Sequence, residues 1–149
     1  MNHKDYSSEF AVGQSADEVY ARIVDVRSWW RGDIAGRAER VGDVFRYRNG
    51  DLHDTRQRVS ALVPGRKVAW HVEGGTIAFV DDRAEWDGTE IVFEITPQGD
   101  GSLVRITHYG LVPEKECFDA CAGGWNYYFG QSLKAAITGA VVEPAPWEA

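Results

Sequence analysis

The sequence predicts an α+β fold, a curved antiparallel sheet of about six or seven strands wrapped round a long C-terminal helix. Three observations carry this. Ile91, Phe93 and Ile95 recur at every second position, and so do Val104, Ile106 and His108, each set lining one face of a strand. An aromatic-rich segment follows, with Cys117, Cys121, Trp125, Tyr128, Phe129 and Ser132 on or near one side of a helix. The order is strand, one or two short helices, a run of strands, then the long helix, which suits a meander curling round its last element.

The first strand is expected over Tyr6–Val12. Ser15-Ala16-Asp17-Glu18 has the pattern of a capping box, and Ala16, Val19, Tyr20 and Ile23 then fall at helical spacing. A second helical turn is expected within Asp25–Trp30. Beyond Gly36 the period becomes two: Val44–Arg48 reads as a strand closed by Asn49-Gly50, a tight-hairpin signature. Leu52–Val63 is a long strand ending at Pro64-Gly65. Lys67–Val72 follows, broken by Gly74-Gly75, with a short apolar piece over Ile77–Val80. Asp87-Gly88 and Gly99-Asp100-Gly101 mark turns. Pro113 suits the first turn of the final helix, Glu114 and Glu116 suit its positive end, and Gly139 suits a left-handed cap. The tail from about residue 140, with Pro144 and Pro146, reads as irregular.

A chain of 149 residues is expected to form one domain, residues 1–149, burying about 68–70% of its unfolded surface without metal or disulfide staples. A formal net charge of −7 argues against a nucleic-acid partner, which requires a concentrated basic face. Arg56 and Arg58 are interleaved with acids such as Asp51 and Asp54, as on a solvated strand face. No apolar run approaches the roughly 20 residues needed to span a bilayer, and Met1–Asp5 lacks a secretory apolar core. With two cysteines, the expectation is a cytoplasmic protein with reduced thiols.

The run Glu85-Trp86-Asp87-Gly88-Thr89-Glu90-Ile91 with Phe93-Glu94-Ile95, then Thr107-His108-Tyr109-Gly110-Leu111, Cys117, Cys121, Gly124-Trp125 and Ser132-Leu133-Lys134, resembles the START-like (SRPBCC) superfamily. Within it the chain is similar to the bacterial branch related to the activator of heat-shock protein 90 ATPase. Ser15–Tyr20, Trp29-Trp30, Gly42, Phe45, Pro64 and Trp70 agree with this. The resemblance implies a helix-grip fold with a deep cavity between sheet and C-terminal helix. It leaves activity open, because the superfamily includes lipid and hormone carriers, cyclases, hydroxylase subunits and chaperone regulators.

Candidate ligand-binding residues are Trp29, Trp30, Phe45, Trp70, Phe79, Trp86, Phe93, His108, Trp125, Tyr128 and Phe129. Cores and apolar pockets share such residues, but so many wide rings in a short chain pack poorly without a gap. Strand alternation points His108 inward, where it needs a partner, either a backbone group, Tyr128 or the ligand. On the long strand His53 and Gln57 face inward in one register, and a shift of a single residue turns both outward. Cys117 and Cys121 stand one helical turn apart, their Cβ atoms about 5–6 Å from each other, too wide for the roughly 3.5–4.5 Å of a disulfide. They read as small buried hydrophobes. Metal binding lacks a ligand set, and Asp81, Asp82, Glu85 and Glu90 read as solvated acids near turns.

The sequence-based expectation is therefore binding of a small, largely hydrophobic molecule, lipid-like or aromatic, with no cofactor, metal or catalytic residue assigned. His108, with Tyr128 or the Trp125 indole, would orient it. Besides an interaction module whose pocket is filled by its own side chains, two alternatives remain open. One is a regulator contacting a heat-shock protein 90 ATPase, or another protein partner, through its surface. It ranks second because the family's chaperone activators carry a further N-terminal domain that these 149 residues do not include. The other is a cyclase-type enzyme using His108.

Overall fold

Every second residue on the long strands faces inward, most of these residues are apolar, and burying that one face builds a single sheet. The computed structural model describes residues 5–50, 53–77 and 84–145. Its strands are β1 (Tyr6–Val12), β2 (Asp33–Gly36), β3 (Val44–Asn49), β4 (His53–Val63), β5 (Lys67–Ile77), β6 (Glu90–Gln98) and β7 (Gly101–Tyr109). All neighbours pair antiparallel, in the order β1-β7-β6-β5-β4-β3-β2. The chain thus starts at one edge, crosses to the other through α1 (Ala16–Val24) and a 3₁₀ turn (Val26–Ser28), and returns as a meander.

One face carries the core: Phe45 and Tyr47, then Thr55, Gln57 and Val59, then Val68, Trp70 and Val72, then Ile91, Phe93 and Ile95, then Val104, Ile106 and His108, all buried. The other face is wet. Its cross-strand ion pairs, Arg46–Asp54, Arg58–Glu73 at 2.7 Å and Arg105–Glu9 at 2.7 Å, are exposed. Such pairs contribute at most about 1 kcal/mol each, so burial of the opposite face dominates.

Two surplus residues curve the sheet between β4 and β5. Arg56 pairs with Gly74 and Gln57 with Val72, which leaves Glu73 extra; Val59 pairs with Trp70 and Ala61 with Ala69, which leaves Ser60 extra. Bulges of this kind increase local twist and bend the strand. At the first of them Gly75 takes φ +154°, and a Cβ there would lie 2.1 Å from the Asp54 carbonyl oxygen. Gly74-Gly75 therefore does not end the strand, as the sequence reading expects; it lets β5 bend and continue to Ile77. The apolar piece beyond it, with Phe79, lies outside the described residues.

The Ser15 capping box forms as expected, with Ser15 Oγ accepting from the Glu18 N–H and a Glu18 carboxylate oxygen accepting from the Ser15 N–H. The C-terminal rod departs from expectation at two points. It begins at Phe118, not near Pro113, as α2 (Phe118–Tyr127). The Glu85 carboxylate explains this: its oxygens accept from the Cys117 N–H at 2.8 Å and the Glu116 N–H at 2.9 Å, groups that a longer helix would bond internally. The rod then widens into a π-helical stretch, Tyr128–Leu133, before α3 (Lys134–Thr138). Gly139 closes it in the left-handed conformation, φ +83°. Close backbone approach to the sheet comes from the π stretch and α3, both against β1; α2 stands further off, and the space beneath it is the cavity.

Candidate ligand cavity

Aromatic rings run in layers from the core to this space. Trp29 and Trp70 stack with centroids 6.3 Å apart, Trp70 and Trp30 at 5.9 Å, and Trp30 and Tyr47 at 4.0 Å. Trp30 also meets Trp125 at 5.0 Å, and Trp125 lies nearly parallel to Trp86 at 6.0 Å. The gap bounded by the outer members of this array measures about 460 Å³ and is partly open to solvent. The sheet side contributes Tyr47, Asn49 and His53; the loop before β6 contributes Trp86; the turn after α1 contributes Trp30. The helix contributes Cys121, Gly123, Gly124, Trp125 and Tyr128, with Ala120 and the exposed Asp119 beside them.

Of the residues singled out from sequence, the structure brings Trp30, Trp86, Trp125 and Tyr128 to this lining. Trp29, Phe45, Trp70, Phe93 and Phe129 are buried behind it and are not among the lining residues. Phe79 lies outside the described residues.

His108 is also behind the wall, fully buried. The Trp125 indole N–H donates to its Nδ1 at 3.0 Å, which makes Nδ1 the unprotonated nitrogen. Nε2 then carries the proton and donates to Thr89 Oγ1 at 2.8 Å, and that hydroxyl donates to the Trp86 carbonyl at 2.7 Å. The relay uses both ring nitrogens within the protein. Tyr128, one of the partners expected from sequence, takes no part in it. Burial, aided by the charges of Lys115 and His53, pushes the His108 pKa down to about 3. The imidazole is neutral, a strut between helix and sheet.

The imidazole that does meet the cavity is His53. Its Nε2 is 3.1 Å from Thr55 Oγ1, and its ring sits edge-on to Trp86 at 4.5 Å and to Tyr47 at 5.3 Å. Burial lowers its pKa to about 4 against the opposing pull of Asp54. Sequence reasoning placed His53 inward but stopped short of the site, since a one-residue slip would reverse it. It also left out Tyr47, Asn49, Cys121 and the glycines. A usable signal was present: Tyr47, His53 and Thr55 alternate inward across the Asn49-Gly50 hairpin.

Among the described residues no group of three or more His, Cys, Asp or Glu side chains could hold a metal ion. Nor is any helix there long and apolar enough to cross a membrane.

A bent antiparallel sheet gripping a C-terminal helix over an aromatic hollow defines the helix-grip class of START-like proteins. Residues 15–138 match the profile of the family described as activator of Hsp90 ATPase homolog 1-like protein, and the chain belongs to that family. No curated protein gives a significant sequence match. Among solved structures, the chain is similar to the Aha1 dimer from Colwellia psychrerythraea, with 21% identity, TM-score 0.73, and coverage of 91% of this chain and 98% of that one. Protein MLL2253 from Mesorhizobium loti superposes with TM-score 0.72 at 15% identity, covering 93% of this chain and all of its own length (100%). CalU16 from Micromonospora echinospora gives TM-score 0.64 at 14% identity, covering 93% of this chain and 87% of its own. At such identities the likeness is one of fold.

Proposed function

We propose that the protein binds a small, flat, predominantly aromatic molecule in the cavity beneath α2. The observation that carries this is the lining itself: about 460 Å³ bounded by Trp30, Tyr47, Trp86, Trp125 and Tyr128, with His53 and Asn49 among its few polar groups. Ligand pockets typically hold roughly 300–1,000 Å³, with apolar walls and a few polar groups to orient the guest. Parallel indole planes suit a flat ring better than a flexible acyl chain, because offset stacking adds about 0.5–1.5 kcal/mol per pair beyond burial. His53, neutral near pH 7, would exchange a hydrogen bond with a hydroxyl or carbonyl on the guest.

The test is a thermal-shift and tryptophan-quenching screen of polycyclic phenols, aryl ketones and fatty acids. A ligand at a hundred times its Kd stabilises by about 2.7 kcal/mol, several degrees in Tm for a chain this size. The expected result is saturable quenching and raised Tm with flat aryl compounds, and weaker effects with fatty acids. A flat response across the whole panel would overturn the cavity reading.

A further inference from the structure

Gln57 sits on the inward face of β4 with none of its surface exposed, and neither its amide oxygen nor its amide nitrogen has a hydrogen-bond partner among the described residues. The indole nitrogen of Trp70, equally buried, is in the same condition. The two residues are diagonal neighbours, since Gln57 pairs with Val72 and Val59 with Trp70. Three orphaned polar atoms thus share one place in the core. Both ends of the amide are orphaned, so exchanging its oxygen and nitrogen changes nothing.

Packing alone would favour leucine or methionine at this position. Phe45 stands directly opposite on β3 and Val72 on β5, and an unpaired buried amide lowers stability. Such a group is explained if a bound molecule completes its hydrogen bonds. The ring of Trp30 separates it from the cavity. That ring meets Tyr47 at 4.0 Å and Phe45 at 6.3 Å on β3, and Trp70 at 5.9 Å on β5. It therefore bridges over β4, where Thr55 and Gln57 pair with Tyr47 and Phe45. Trp30 also lines the cavity, so one indole layer stands between the guest's space and the Gln57 amide.

We infer that Gln57 and Trp70 form an inner subsite of the cavity for a neutral carboxamide or lactam on the aryl guest, reached when the Trp30 ring swings aside. The inference rests on the cavity-binding reading above and names the group the guest carries. Gln57 offers an acceptor and a donor, and Trp70 a further donor. A carboxamide or lactam is the complement. Its N–H donates to Gln57 Oε1, while its carbonyl oxygen, with two lone pairs, accepts from Gln57 Nε2 and Trp70 Nε1. A ketone only accepts and leaves Gln57 Oε1 unpaired. A carboxylate brings in a charge that is far costlier to bury.

The test measures, by tryptophan quenching, the Kd of 2-naphthamide and of its apolar near-isostere 2-isopropylnaphthalene for the full-length parent, Gln57→Leu and Gln57→Met. Without ligand, Gln57→Leu should melt at or above the parent temperature, because unpaired polar atoms leave the core. Gln57→Met, unbranched and adaptable, guards against a misfit of leucine. In either variant the carboxamide should lose about ten- to a hundredfold in affinity while the isostere holds or gains. A clear loss of stability in both variants would show the amide already paired in the empty protein and overturn the inference. Equal effects on the two compounds, or none on the carboxamide, would overturn it and leave the cavity reading standing. Binding of neither compound to the parent would overturn both. A crystal structure of the naphthamide complex should show the Trp30 ring displaced and the guest's amide against Gln57; an amide elsewhere, with Trp30 in place, would overturn the inner subsite alone.

Discussion

Trp125 on the helix and His108 on β7 are joined by an N–H···N hydrogen bond of 3.0 Å, with both residues almost wholly buried. This bond ties the part of the rod that stands off the sheet to the sheet itself, and so fixes the roof height of the cavity. Trp125→Phe leaves Nδ1 as a buried acceptor with its donor gone and should cost about 1–3 kcal/mol. His108→Phe orphans the indole N–H in turn. The double variant removes both groups, so its cost should fall short of the sum of the singles by about 0.5–3 kcal/mol. Urea denaturation of the four proteins measures this, and strict additivity would refute the coupling.

Acid should loosen the protein before its carboxylates titrate. The folded-state pKa values of His53 (about 4) and His108 (about 3) both lie below the usual histidine value of 6.5. Between pH 6.5 and these values the unfolded chain binds protons that the folded chain refuses. Stability is therefore full above about pH 6.5 and falls as pH drops, by up to about 1.4 kcal/mol per pH unit for the fully buried His108. Urea midpoints at pH 7 and pH 5 should differ in the parent, and less so in His108→Phe.

Gly124→Leu should separate binding from folding. Gly124 lines the cavity in mid-helix with no atom within 4 Å of its Cβ position. A leucine there gains helix propensity, about 0.5–1 kcal/mol relative to glycine, while its side chain fills the guest's space. Unchanged or raised Tm, together with lost quenching by aryl ligands, is the expected pair of results. Retained affinity would mean that the guest sits elsewhere.

Glu85→Ala should fray the start of α2. Burial alone would raise the Glu85 pKa, but N–H groups of Cys117 and Glu116 on the carboxylate, with the Cys117 thiol and Lys115, bring it below the ordinary value. Loss of such a cap costs about 0.5–2 kcal/mol. Because the folded-state pKa is depressed, this contribution is present at neutral pH and vanishes as pH falls through it. The gap between parent and variant should therefore close in acid, as read by chemical denaturation at pH 7 and pH 3.

Gly75→Ala is expected to destabilise more than any surface substitution on β5, since the two atoms its Cβ would meet first, the Asp54 carbonyl oxygen and the Thr55 Cα, are backbone and cannot swing aside. A loss of about 1–3 kcal/mol with altered near-ultraviolet circular dichroism is expected. A neutral result would show that the bulge can relocate.

The fold was legible wherever one period ruled a segment. Tyr6–Val12, Val44–Asn49 and the β6–β7 hairpin announce themselves because alternate residues turn inward, buried or half-buried, and glycine turns bound the segments. β2 did not, since only Ile34 of its four residues is even half-buried. The helix start was misplaced because the group that ends the preceding turn, Glu85, is about thirty residues away in sequence. Choosing wall from core was harder still. Trp70 and Trp86 look alike in a sequence, and only the angle between rod and sheet decides which one a guest can touch. His108 was rightly placed indoors, yet whether its nitrogens face a guest depended on Thr89 and Trp125, partners on two other segments.

The π-helical stretch at Tyr128–Leu133 carries one more residue in its turn than a regular helix needs. That insertion works as a phase shifter: it decouples the azimuth of the N-terminal half, where Cys121 and Trp125 point, from that of the C-terminal half, where Leu133 and Ala135 anchor. Relatives of this chain could thus diversify the contents of their chamber by changing the front half of the rod, while its rear clamp stayed as it was.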